Sequence, residues 1–292
     1  MPAAESGAPL KRAMRAWCTR IDAVVSWVLF LLVNMPARFG SHRQIGNIAY
    51  GPLAEQRLDV YSPALAAKAP QPMIVFWHGG RWSFGDKKQY RFVGAALAGL
   101  GCVVAVPNYR HYPQVKMDGF LADAALATRW TLEHAAEHGA DPKRLYLMGH
   151  SAGAHLAAML ALDRRYLRAA GVREDARLAG VIGLSGPYDF LPLEEADVQD
   201  MFGPPGNYPQ SQPINYVSAG APPMLLVHGL RDATVRPKNA RNLAAALQSA
   251  GAPVTLVLYE RVAHAGTVAA LSPLALGAPK VGADIAAFLH RG

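Results

Sequence analysis

The chain has 292 residues, 51% hydrophobic and 17% charged, with a formal net charge of +8. That length and apolar content support one large core of the size common in α/β domains. The two cysteines, Cys18 and Cys102, lie far apart, so there is neither a disulfide framework nor a metal-type Cys/His spacing. Half of the net positive charge falls within residues 1–43, where Lys11, Arg12, Arg15, Arg20, Arg38 and Arg43 oppose only Glu5 and Asp22. The remainder mixes both signs without a basic-aromatic stripe, which argues against nucleic acid as a partner.

The N-terminal segment is the clearest compositional shift. Ala23 to Met35 is apolar apart from Ser26 and Asn34, and Pro36 ends it. A transmembrane helix needs roughly 20 apolar residues, more than this run provides. A basic start and an apolar centre suit a signal peptide, but Met35-Pro36-Ala37 is a poor cleavage site. A helix packed on the body, an interfacial helix, and a signal or anchor all stay open. Residues 1–44 therefore read as a basic, apolar extension, with residues 11–36 available for a membrane surface. The expected compartment is cytoplasmic, with membrane association open.

From residue 45 the pattern is regular. Arg57–Tyr61 alternates like a half-buried strand, and Met73–Trp77 reads as a second strand. Lys88–Leu100 is a helix, Cys102–Val106 a buried strand, and Gly119–Ala136 a helix. Asp141-Pro142 turns the chain into the short strand Leu145–Met148, followed by a helix over Ser151–Leu162. Leu178–Leu184, Met224–His228 and Val254–Tyr259 are strands, Pro237–Ser249 is an Ala-rich helix, and Ala283–Leu289 closes the chain. Strands that are nearly continuous in apolar residues, alternating with helices, predict an α/β fold with a mostly parallel sheet covered on both faces. In such sheets ligand sites lie at the carboxyl ends of the strands. Residues 191–223, rich in Pro, Gly, Asn, Gln and Asp, are too long for a simple connection and read as a small lid-like insertion within a domain spanning 45–292.

Leu145–Met148 runs into Gly149-His150-Ser151-Ala152-Gly153 and then a helix. This is G-x-S-x-G between strand and helix, the context in which a sharp turn exposes the serine hydroxyl at a helix N-terminus. A serine nucleophile needs a base, and the base an orienting acid, in the chain order Ser, Asp or Glu, His. Asp232 follows the strand Met224–His228, and His264 follows the strand ending at Tyr259. His228 is a rival base and Asp189 a rival acid, each less well placed. His78-Gly79-Gly80-Arg81-Trp82, directly after another strand, offers backbone N–H groups for an oxyanion, together with that of Ala152.

The order strand-HGG-x-W, then Asn108-Tyr109-Arg110, then GHSAG, Asp and His resembles the α/β-hydrolase superfamily over about residues 45–290. Within it the chain is similar to hormone-sensitive-lipase-like carboxylesterases and to feruloyl-esterase-like and kynurenine-formamidase-like enzymes. The resemblance implies an α/β-hydrolase fold and hydrolysis of a small-molecule ester, preferably short-acyl, with no metal or other cofactor. An N-formyl aromatic amide is the alternative substrate, and a non-catalytic binding protein the alternative role. It implies a triad of Ser151, Asp232 and His264, and an oxyanion hole with donors at Gly80, Arg81 and Ala152 and a turn at Gly79. Arg81 stands where lipase-like members carry a third glycine, so its side chain must point away from the acyl carbon, to a substrate carboxylate or a structural acid. Trp82, Tyr109, His150 and Tyr188 are candidates to line the substrate pocket. His78 and His155 are expected to serve the scaffold.

Overall fold

The computed structural model describes residues 33–35, 37, 40–65, 69–275 and 277–291. The expectations for residues 1–32 lie outside these. Eight strands form one sheet: β1 (His42–Ala49), β2 (Arg57–Pro63), β3 (Gln71–Trp77), β4 (Val103–Pro107), β5 (Ala140–His150), β6 (Leu178–Leu184), β7 (Met224–Gly229) and β8 (Val254–Tyr259). Their order is β1-β2-β4-β3-β5-β6-β7-β8. β2 runs antiparallel to both β1 and β4, and every other pairing is parallel.

Pleating divides each central strand between two cores. In β3, Met73, Val75 and Trp77 join one apolar cluster, while Ile74 and Phe76 join the other. The first cluster is covered by α2 (Met117–Glu133), α3 (Ala152–Leu162) and α6 (Lys238–Ser249). The second is covered by α1 (Arg91–Gly99) and α8 (Val281–Leu289). Because both faces are covered, these strands read as apolar runs rather than alternating ones. α3 is buried on every side except at its last residue. Its run of small residues lets it sit close to the sheet directly behind β5.

Three elements depart from the sequence expectation. β1 was not foreseen: HRQIGNIA is mostly polar and exposed, as an edge strand can be, so it carries no apolar period. Asp141-Pro142 lies inside β5 rather than forming a turn before it, at the end of the strand that leaves the core. The insertion is partly helical, containing α5 (Ala196–Phe202) and two 3₁₀ segments, Pro205–Ser211 and Pro213–Tyr216. Two short helices complete the set, α4 (Arg165–Ala169) and α7 (Gly266–Ala269). Among the described residues no helix is long and apolar enough to cross a membrane.

Candidate active site

Parallel strands direct their carboxyl ends to one side of the molecule, and the singled-out residues gather there. Ser151 immediately follows β5 at φ 54°, ψ −121°, a conformation that costs energy for a residue with a Cβ. Glycines make the turn possible. A Cβ on Gly149 would lie 2.2 Å from the Gly153 carbonyl carbon, and one on Gly153 would lie 2.0 Å from the Trp77 oxygen. Strand and helix therefore meet backbone to backbone, and the serine is lifted out of the turn.

Asp232, three residues past β7, and His264, five past β8, close a chain with Ser151. His264 Nε2 is 2.8 Å from Ser151 Oγ, and His264 Nδ1 is 2.8 Å from Asp232 Oδ2. With the carboxylate fixing the proton on Nδ1, Nε2 presents its lone pair and the serine hydroxyl donates to it. Asp232 Oδ1 accepts the N–H groups of Thr234 (3.0 Å) and Val235 (2.8 Å). Burial by itself would raise the Asp232 pKa. Hydrogen bonds from His228, His264 and the Val235 N–H, with the nearby His264 ring, outweigh that and hold the carboxyl well below the ordinary carboxylate range. Ser151 and Asp232 are buried, whereas the His264 side chain keeps 19% exposure.

The loop after β3 packs directly on the serine, since a Cβ on Gly79 would be 3.2 Å from that of Ser151. Gly80 (φ 126°), Arg81 (φ 53°) and Trp82 (φ 57°) take positive φ in succession. At Gly80 a side chain is impossible, because a Cβ would meet the Phe84 oxygen at 1.8 Å. The Gly80 carbonyl accepts the Ser83 and Phe84 N–H groups at 2.9 and 3.0 Å, which closes the loop on itself. The N–H groups of Gly80, Arg81 and Ala152 have no hydrogen-bond partner among the described residues.

Below this loop, His78 donates from Nδ1 to the Gly79 oxygen at 2.7 Å and stacks on Tyr109 at 4.6 Å. Burial pushes the His78 pKa down to about 4, so the ring is neutral. The Tyr109 hydroxyl donates to the His78 oxygen, and the ring is buried, so Tyr109 braces the loop from beneath. Tyr188 is also buried, with its N–H held by Asn239 and its hydroxyl packed against Gly183 and Gly186. His150 lies beside His264: its ring is 5.0 Å from that of His264, and its Nε2 is 3.2 Å from the His264 oxygen. Burial, and then the His264 ring, lower the His150 pKa to about 3. Trp82 alone of these four candidates enters an aromatic wall, with Phe120, His155, Phe190 and Phe202. His155 donates from Nε2 to the Ser211 oxygen, tying α3 to the insertion.

The rivals are placed elsewhere. The Asp189 carboxylate accepts from Asn242 and takes no part in the chain of bonds. His228 is buried, donates from Nε2 to the Val235 oxygen at 2.8 Å, and has the same nitrogen 3.2 Å from Asp232 Oδ2. It closes the acid loop, a contact the sequence reading missed. The Arg81 side chain reaches structural acids: it binds Asp197 through both guanidinium ends, at 2.9 and 3.1 Å, and also Glu195. Among the described residues no group of three or more His, Cys, Asp or Glu side chains is arranged to hold a metal ion.

The chain is similar to known proteins. The BD-FAE family model matches residues 58–247, more than half of the chain. A probable isoprenylcysteine alpha-carbonyl methylesterase of Arabidopsis thaliana is 30% identical over 274 residues, covering 85% of this chain and 57% of its own length. Esterase LipQ of Mycobacterium tuberculosis is 30% identical over 244 residues, 76% of this chain and 58% of its own. The chain thus spans less than two thirds of the length of either relative. Among solved structures, a propionate-bound esterase of Thermogutta terrifontis aligns with a TM-score of 0.68 at 27% identity, over 84% of this chain and 93% of that one. The chain belongs to the BD-FAE family, within the α/β-hydrolase carboxylesterases.

Proposed function

We propose that the protein is a serine hydrolase of small, short-acyl carboxylic esters, with residues 45–292 as its catalytic unit and 191–223 as a lid-like insertion. The observation that carries this reading is the unbroken chain of 2.8 Å contacts from Ser151 through His264 to Asp232, set at a strained turn between strand and helix. His264 takes the hydroxyl proton as Ser151 attacks the ester carbonyl. Asp232 keeps the ring in the Nδ1–H tautomer and balances the imidazolium charge. The tetrahedral oxyanion is received by the N–H groups of Gly80, Arg81 and Ala152, which have no competing partner. Preplaced donors of this kind contribute about 3 kcal/mol each to the transition state. His264 then protonates the departing alcohol and activates the water that releases the acid.

The short-acyl preference is supported by the aromatic wall. Trp82 lies 4.9 Å from Phe202, 5.1 Å from His155 and 5.9 Å from Phe190, centre to centre. These rings fill the space between the first turn of α3 and the insertion, beside the oxyanion loop.

The test is a p-nitrophenyl ester series from acetate to decanoate, with N-formylkynurenine as the competing substrate, run on the native chain and on Ser151→Ala. The expected result is a maximum at the shortest acyl chains and a loss of at least about a thousandfold in the variant. Undiminished cleavage by Ser151→Ala would sink the mechanism. Faster turnover of the formamide would transfer the site to amide hydrolysis, and no turnover of any substrate would leave a binding protein.

A further inference from the structure

We infer that the carboxyl-end face of the sheet docks on an anionic lipid surface and that the enzyme draws its ester from that surface. The inference rests on the esterase reading of the site and adds where the substrate comes from.

The first observation is where exposed apolar side chains lie. Phe84 follows the oxyanion loop and is 62% exposed; Leu230 is the first residue after β7. Leu274 follows α7, beyond the base, and is 52% exposed; Met35 adjoins the start of the described chain. Single exposed apolar residues are ordinary on any protein. Here four lie at the carboxyl end of the sheet beside the candidate site, with Leu53 at the far edge of the same end. Among the described residues the opposite end exposes only Leu65 and Leu100 of this class, and Ile45 lies midway along the edge strand β1.

The second is charge. Lys88, Arg231, Arg261 and Lys280 are exposed near these apolar residues, and none has a carboxylate partner among the described residues. Lys280 belongs to this end because α8 runs away from it: the Leu289 oxygen, at the far end of α8, contacts Arg144 and Tyr146 where β5 begins. The acids nearby are Glu260, the half-buried Asp86, Asp284, which accepts from the Tyr259 hydroxyl, and Glu55 beside Leu53, which accepts from Gln114. Those of the insertion are largely engaged, Glu195 and Asp197 by Arg81 and Asp200 by Lys116, leaving Glu194 exposed. Apolar side chains interleaved with unpaired bases suit an interface with anionic lipid.

The third is the route of the chain. The Val33 oxygen accepts from Ser272 Oγ at 3.1 Å, just beyond the base loop. The Asn34 side chain donates to the Gln89 oxygen at 2.6 Å and accepts the Phe92 N–H at 3.0 Å, just beyond the oxyanion loop. Residues 33–34 thus bridge the two segments that flank the site. The sequence leading up to them carries Lys11, Arg12, Arg15 and Arg20, and then the apolar run from Ala23. A basic, apolar segment attached at the rim of an apolar, basic opening presents that opening, rather than the opposite end, to a lipid surface.

The experiment uses the full chain with Cys18→Ser, leaving the buried Cys102, and an environment-sensitive NBD probe on Leu274→Cys or, at the opposite end, Leu100→Cys. Each is mixed with vesicles of phosphatidylcholine alone or with about a third phosphatidylglycerol. The expected result is sedimentation with the anionic vesicles, a blue shift at position 274 and none at position 100. Lys88→Glu with Lys280→Glu should weaken that binding by at least about tenfold, since each basic contact is worth about fivefold. Sedimentation with position 274 still in water would mean that the N-terminal segment tethers the protein alone, and would overturn the inference. So would no sedimentation, or a position 274 already shifted without lipid, which would mean that residues 1–32 cover the face themselves. Cleavage of p-nitrophenyl acetate in solution by the same preparations reports on the esterase reading separately.

Discussion

Lowering the pH from 7 to 5 should remove a large part of the protein's stability, through histidines that do no chemistry. His78, His150 and His155 are buried, and burial, as the largest cause, lowers their pKa values to about 4, 3 and 4. In the unfolded chain each returns to the ordinary histidine value of about 6.5. Below that value the unfolded state binds protons that the folded state refuses, so stability falls as pH falls towards the folded values. At pH 5 each ring is about 1.5 pH units into this window, and at 1.36 kcal/mol per unit it costs about 2 kcal/mol. Three rings together cost about 6 kcal/mol, comparable with the whole stability of many domains at 5–15 kcal/mol. Asp232 acts in a lower window: with its folded pKa depressed, its contribution is intact above about pH 4 and is lost only below that.

Urea denaturation of the native chain at pH 7, 6 and 5 measures the effect. Near pH 5 the slope should approach three protons, about 4 kcal/mol per pH unit. His155→Gln, which leaves the Ser151, His264 and Asp232 contacts untouched, should lower that slope by about a third. A flat profile between pH 6.5 and 5, or a slope unchanged in His155→Gln, would show that the buried rings are charged in the folded state and would refute the reasoning.

Two further outcomes follow from contacts away from the reacting atoms. Gly153→Ala places a methyl 2.0 Å from the Trp77 oxygen, with backbone on both sides. It should cost about 3 kcal/mol or more by urea titration, and a change below about 0.5 kcal/mol would mean that strand and helix separate freely. Asp197→Asn removes the bidentate partner of Arg81 in a pair that is about 40% exposed on each side. It should cost less than about 1 kcal/mol in stability, yet raise KM more than it lowers kcat, because it loosens the insertion without touching a reacting group. A selective fall in kcat would instead tie Asp197 to the chemical step.

The fold and the residues that meet at the site were legible for one reason. In a parallel sheet, whatever follows a strand arrives at the same end. Ser151, Asp232, His264 and the loop from His78 each follow a strand of near-continuous apolar sequence, so the strand pattern alone brings them together. The edge strand β1 was not legible, because an exposed polar strand has no apolar period to read. Tyr109 and Tyr188, read as candidates to line the pocket, are both buried, and position near a strand end does not state whether a ring faces outward or packs beneath a loop. Arg81 marks the sharper boundary. Its side chain binds residues more than a hundred positions away, and no local pattern states that pairing. Composition still held a clue. Residues 191–223 contain Glu194, Glu195, Asp197 and Asp200 and neither Lys nor Arg, while the chain as a whole is basic. An all-acidic insertion must either face solvent or find cations on the body. An arginine at a loop position for which the proposed mechanism uses only backbone is free to be such a cation. The departure from a third glycine is therefore intelligible: the backbone of residue 81 stays with the loop after β3, and its side chain binds Asp197 and Glu195 of the insertion.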